Sequence, residues 1–254
     1  MATYLITGAN RGIGLELTKQ LLDLQEAQVS KIIAFVRNSS SGLDDLASKS
    51  PDRLAVVTAD TSSSEGIKTA VADVEKALQG KGLDCLVNNA ATLPIGPDKM
   101  EDVPIEQMTE AFNVNVVKIQ IMISTFLPLL RKGKEKKIIG ISSSLGSTTW
   151  ALKWPMGFCQ AYRMSKAALG MLNALYAGDL KDEGFTCLLL SPGWLKTNDV
   201  NQWAHLETEV GVAEVKRIIL EANPSQNGQF RNIHIPDWHS TDRPDHYDGL
   251  EIPY

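Results

Sequence analysis

The sequence is poor in several things at once. It holds only three cysteines, Cys85, Cys159 and Cys187, odd in number and widely spaced, which excludes a disulfide framework and a C-x-x-C metal or redox pair. Cys85 and Cys187 lie inside apolar runs and are expected in the core, while Cys159 stays open between a small apolar filler and a reactive thiol. No apolar run approaches the roughly 18 residues of a membrane span. The opening MATYLITG lacks the basic region, apolar core and cleavage site of a secretory signal. The expectation is a cytoplasmic protein without a membrane partner. Basic charge is not in surplus either: the net charge of -5 gives no reason to expect nucleic acid. No G-x-S-x-G elbow surrounds the serines, which argues against a hydrolase. The four histidines, His205, His234, His239 and His246, fall late in the chain. With Asp237, Asp242, Asp245 and Asp248 they match no familiar metal spacing, so no metal is expected and the tail reads as solvated and polar. Repeats, low-complexity tracts and Pro/Gly/Ser linkers are also missing, so residues 1–254 are read as one domain.

What is present is alternation. Short apolar runs, TYLIT, KIIAFV, LAVVT, LDCLVN, KKIIGIS and FTCLLLS, are separated by longer stretches of helical composition. Runs apolar on both sides are what buried parallel strands require, and the spacing predicts βαβ units. The fold class expected is α/β: a single-domain Rossmann fold, with a doubly wound parallel sheet and helices on both faces. The polar stretch NSSSGLDDLASKS reads as a loop, and a helix is expected near residues 212–222.

Two local patterns carry chemistry. TGANRGIG follows the first strand run and precedes LELTKQLLD, so Gly8, Gly12 and Gly14 make a strand-to-helix turn that brings backbone N–H groups and a helix N-terminus to a pyrophosphate. The second strand run ends in Val36-Arg37, where an acid would read a free ribose 2'-hydroxyl and an arginine accommodates a 2'-phosphate. Arg11 adds a second guanidinium, which favours NADPH over NADH. The other pattern is AYRMSKAALG, which sets Tyr162 and Lys166 at i and i+4 on one helix face.

TGxxxGxG, then NNA, then a helical Asn, a Ser and YxxxK is the spacing of the short-chain dehydrogenase/reductase family, and the resemblance covers nearly the whole chain. ITGANRGIG, ISSSLGS, AYRMSKAAL and SPGWLKT resemble the sniffer and C-factor type of carbonyl reductase, and the fungal norsolorinic acid ketoreductase group is similar. The resemblance implies a catalytic set of Asn115, Ser143, Tyr162 and Lys166, with Ser143 chosen because it stands three residues before Gly146. It implies cofactor contacts from Thr7, Gly8, Asn10, Arg11, Gly12, Ile13 and Gly14, and from Arg37 and Asp60. Asn88, Asn89, Ala90, Tyr162, Lys166, Pro192, Gly193 and Thr197 complete that set. Two positions depart from the pattern: Ala91 replaces the glycine of NNAG, and Lys118 replaces a glycine that often follows the helical asparagine.

The activity implied is NADPH-dependent reduction of a small-molecule carbonyl compound, a ketone or aldehyde. Tyr162 would give the proton, Lys166 would tune it and bind the nicotinamide ribose, Ser143 would hold the substrate oxygen, and Asn115 would fix a water in a proton relay. Substrate loops are expected near residues 144–160 and 194–211. Their Trp150, Trp154, Phe158, Trp194 and Trp203 suit a bulky apolar or aromatic polyketide-like carbonyl, or else pack loop to core. Redox-neutral chemistry on the same cofactor, or a regulator that binds it without turnover, are the alternatives. Relatives imply a homodimer or homotetramer, although some are monomers.

Overall fold

The computed structural model describes residues 1–61, 63–155, 157–197, 204–238 and 246–254, so Trp203, His239, Asp242 and Asp245 lie outside the described residues. The chain opens with β1 (Ala2–Thr7), α1 (Gly12–Leu22), β2 (Val29–Val36), α2 (Ser41–Lys49) and β3 (Leu54–Thr58). Two short helices, α3 (Ser64–Thr69) and α4 (Val71–Leu78), lead to β4 (Cys85–Asn88). Then α5 (Ile105–Phe112) passes through a π-helical turn, Asn113–Val117, into α6 (Lys118–Arg131) and β5 (Lys137–Ile141). The last part holds α7 (Thr148–Lys153), α8 (Gln160–Asp179), β6 (Thr186–Ser191), α9 (Thr208–Glu221) and β7 (Phe230–Asn232).

The seven strands form one sheet in the order β3-β2-β1-β4-β5-β6-β7, and every neighbouring pair is parallel. Such strands bury both faces, which explains why β1 reads ATYLIT with every residue buried. One core packs Ile6, Leu17, Ile32 and Leu188 against Val215 and Ile219 of α9. The other, across the sheet, packs Leu5, Ile33, Leu86 and Cys187 against Phe126 of α6 and Leu169 of α8. Each such side chain, fully buried, contributes about 2 kcal/mol to the fold.

The chain runs outward from β1 to β3 and then returns to lay β4 on the other side of β1. The strand order therefore reverses between β1 and β4, and the crevice at their C-terminal ends is where open parallel sheets bind ligands. Thr7, Asn88, Ile141 and Ser191 end their strands along this same edge.

Several expectations need correcting. NSSSGLDDLASKS is not a loop: Ser40 caps α2 by accepting a hydrogen bond from Leu43 N–H, which outweighs the weak helix propensity of Ser, Gly and Asp. A seventh strand, Phe230–Asn232, extends the sheet; three residues are too few to show a pattern. The described part of the tail is not simply solvated, because Tyr247 and Ile252 are buried. The helical run Ile105–Arg131 is long and apolar enough to cross a membrane by length and composition. Here its Met122, Ile123, Phe126 and Leu130 are core side chains.

Candidate active site

The ends of β1 and β4 are knotted together by side chains. Thr7 Oγ1 accepts from Asn89 N–H (2.9 Å) and Ala90 N–H (3.0 Å), while the Asn89 amide donates to Thr7 O (2.9 Å) and Gly8 O (3.3 Å). The knot holds the glycine loop in an unusual path. Gly8 sits at φ +66°, in the left-handed region, and a Cβ on Gly14 would lie 2.5 Å from Gly8 O. No larger residue fits at Gly14 without moving backbone. Arg11 stands at the N-cap of α1, where its side chain offers no acceptor, and because α1 begins just after β1 ends, the positive end of the helix lies at the crevice.

Around this end the structure gathers most of the expected cofactor residues. Asn10 O accepts from Ser40 Oγ at 2.7 Å, which ties the loop to the start of α2. A Cβ on Gly12 would stand 3.4 Å from Thr197 Cβ, so Thr197 closes over the loop from the far side. Arg11, Arg37 and Asp60 are exposed at this edge. Lys118, the departure from the family pattern, has its ammonium pKa lowered first by burial and next by the nearby Arg37 charge, with Asp60 opposing the shift. Cations on three segments thus face an edge suited to a phosphate. Asn88 differs from its neighbours. It is fully buried, and neither atom of its amide has a partner among the described residues.

Catalytic candidates meet one strand further along. The loop after β5 makes a 3-10 turn, Ser144–Gly146, that lies against α8: a Cβ on Gly146 would come within 2.7 Å of Lys166 Cβ. That close approach is what the spacing of Ser143 and Gly146 encodes, and it sets the Ser143 hydroxyl close enough to the Tyr162 phenol to favour its ionised form. Lys166 lies one helical turn on, its Nζ 5.5 Å from the Tyr162 ring centre and 2.7 Å from Ile141 O, to which it donates.

The electrostatics differ from the simple idea that the ammonium lowers the phenol's pKa. Burial pushes the Tyr162 phenol up to about 12, against the lowering effect of the Ser143 hydrogen bond. Burial also brings the Lys166 ammonium down from 10.5 to about 7. Loss of hydration disfavours both charged forms and is the largest cause of each shift. The phenol is protonated at neutral pH, as an unperturbed tyrosine also is, and burial makes it a weaker acid than usual.

Asn115 occupies the π-helical turn, a widening of the helix that aims its amide at the sheet edge. Its Oδ1 accepts from Thr92 N–H, and its Nδ2 donates to Thr92 O and to Ser165 Oγ, each at 2.9 Å. These bonds brace the loop after β4 against α8, leaving a second Oδ1 lone pair for a water.

Above Tyr162 opens a cavity of about 910 Å³ lined by Ser142, Ser143, Ser144, Tyr162 and Lys166, by Pro192, Gly193 and Thr197, and by mainly apolar walls. Trp154, Phe158 and Trp194 line it as expected, and so does Cys159. Trp150 does not: it packs edge-on behind Trp154, with ring centres 5.2 Å apart, and against the core. The separation of four residues, from α7 to the residue that ends it, sets one ring behind the other, leaving only Trp154 on the cavity. Leu93, Ile95 and Tyr247 also line the cavity although no motif marks them. Tyr247 Oη accepts from Trp194 N–H at 3.0 Å and so holds the turn after β6.

Over residues 2–207 the chain matches the short chain dehydrogenase family. It belongs to that family. As a short-chain dehydrogenase it is an oxidoreductase. It is 34% identical over 212 residues to the short-chain dehydrogenase/reductase atnB of Arthrinium sp, which covers 80% of this chain and 78% of that one. Among solved structures it is similar to the carbonyl reductase Sniffer of D. melanogaster, with a TM-score of 0.84 and 29% identity over 100% of both chains. It is also similar to the NADPH-bound carbonyl reductase from chicken fatty liver, with a TM-score of 0.83 and 28% identity over 100% of this chain and 99% of that one.

Proposed function

We propose that this chain is an NADPH-dependent carbonyl reductase acting on a bulky apolar or aromatic ketone or aldehyde, with Tyr162 as the proton donor. The observation that carries the reading is the convergence of Ser143, Tyr162 and Lys166 at the floor of one mainly apolar cavity. The likeness to the chicken and Drosophila carbonyl reductases supports the reaction, and the NADPH in the chicken enzyme supports the cofactor. The residues fit that cofactor: the glycine loop leaves no room for a side chain at Gly14, α1 points its N-terminus at the crevice, and Arg11 and Arg37 suit a 2'-phosphate.

When bound, NADPH supplies the hydride. Ser143 and Tyr162 would hold the carbonyl oxygen between two hydroxyls, stabilising it as it becomes negative, a contribution of about 3 kcal/mol in comparable sites. Tyr162 then passes its proton to that oxygen. Lys166 would hold the ribose hydroxyls, its position fixed by Ile141 O, and Asn115 keeps the loop after β4 in register with α8.

The test is NADPH oxidation over a panel of aliphatic, quinone and aryl ketones, with Tyr162→Phe in parallel. General acid catalysis is worth about 10²- to 10⁴-fold, so turnover should fall by that range while NADPH binding, read by fluorescence, persists. Binding of NADPH without oxidation of any panel member, or a Phe variant as active as the parent, would overturn the proposal. The first result would favour redox-neutral or regulatory use of the cofactor.

A further inference from the structure

The charges around the cavity are of one sign. Among the described residues lining it, the only charged groups are Lys166 at the floor and Lys153 on the wall, and no Asp or Glu joins them. Lys153 ends α7, and its Nζ lies 4.4 Å from the centre of the Trp154 ring. Lys153 is exposed, and its ammonium lies over the Trp154 ring beside the cavity it helps to line. Like most lysines of the chain, Lys153 has no acidic partner among the described residues, so its ammonium is not neutralised by a neighbouring carboxylate.

Its placement is also fixed from behind. Ser147 Oγ donates to Pro253 O, and Thr149 donates to Tyr254 O through both its N–H (3.2 Å) and its hydroxyl (2.6 Å). Trp150 and Trp154 both pack against the His246 ring, at 5.9 and 5.3 Å. Lys153 is therefore carried by a docked helix, whose position does not depend on a ligand.

An ammonium beside an apolar wall with no carboxylate near it attracts an anion and repels a cation. We propose that Lys153 is a specificity-determining residue that binds a carboxylate on the part of the substrate remote from the reacting carbonyl. The preferred substrates are then bulky apolar keto acids, in preference to neutral ketones of the same size. The inference rests on the carbonyl reductase reading above and adds the substrate class to it.

The experiment compares acetylnaphthoate with its carboxamide, which has the same shape and no charge, in the parent, Lys153→Gln and Lys153→Arg. The parent should favour the acid, and Lys153→Gln should lower the acid-over-amide ratio of kcat/KM about fivefold, the scale of a solvent-accessible ion pair. The loss should lie in KM, kcat should hold, Lys153→Arg should restore the ratio, and high salt should shrink it. A ratio near one in the parent, or one unmoved by Lys153→Gln, overturns the proposal while leaving the reductase reading intact. Quenching of tryptophan fluorescence by acetylnaphthoate on the enzyme with NADP⁺ gives a second readout that needs no turnover. Quenching that depends on Lys153, with no ketone reduced, would sustain the anion site and overturn the reductase reading.

Discussion

Lys166 is the residue whose cost to the fold follows most directly from the structure. It is 3% exposed, and burial lowers its pKa from 10.5 to about 7. The unfolded chain therefore binds a proton that the folded chain releases between those two values, and stability rises with pH through that window. At and below pH 7 the folded protein carries the full penalty, about 5 kcal/mol at about 1.4 kcal/mol per pH unit. Replacing Lys166 by Met keeps the length of the side chain and removes the charge, but it also removes the bond to Ile141 O, a loss of about 2 kcal/mol for a buried acceptor. Lys166→Met should accordingly be more stable than the parent at about pH 6.5 by roughly 3 kcal/mol, equivalent to a rise in Tm of roughly 6 to 12 °C for a chain of this size. At about pH 9.5 only about 1.4 kcal/mol of the penalty is left, so the variant should be level with the parent or slightly less stable. Urea unfolding of both proteins at the two pH values reads this directly. A variant that is less stable at pH 6.5, or a difference that does not change with pH, would refute the argument that burial dominates at Lys166.

Two further outcomes follow from the cofactor end. Gly14→Ala places a methyl 2.5 Å from Gly8 O and 2.6 Å from Asn89 Nδ2, so it should cost about 1 to 3 kcal/mol in unfolding and abolish saturable NADPH fluorescence at micromolar protein; an unchanged Tm with normal binding would mean that the loop yields freely. Arg37→Asp should reverse the favourable phosphate contact and lower the NADPH-over-NADH preference in kcat/KM by about tenfold or more, with the parent's preference weakening as salt increases.

How far the sequence could be read follows from the range of each interaction. Six strands were legible because a strand buried on both faces must be apolar throughout, and TYLIT or FTCLLLS satisfies that without reference to a neighbour. β7 was not, since its three residues gain their place from backbone pairing with Leu189–Ser191 and from no pattern of their own. The same division runs through the site. Tyr162 and Lys166 share a helix face, and Gly8, Gly12 and Gly14 share one turn, so local spacing already places them. Lys153 and Tyr247 belong to the cavity only because α7 and the segment 246–254 fold back over the C-terminal ends of β5 and β6.

The sequence by itself determined the doubly wound sheet, the glycine turn after β1 and the Tyr-Lys pair, because each depends on periodicity, on glycine geometry or on a separation of four residues within one helix. Tertiary structure alone decided which aromatic ring lines the cavity and which backs it. It also decided that burial raises the pKa of the phenol and lowers that of the lysine, and that one further ammonium lies along the cavity wall. Burial, hydration and cavity walls arise only when distant segments meet, so no local pattern encodes them.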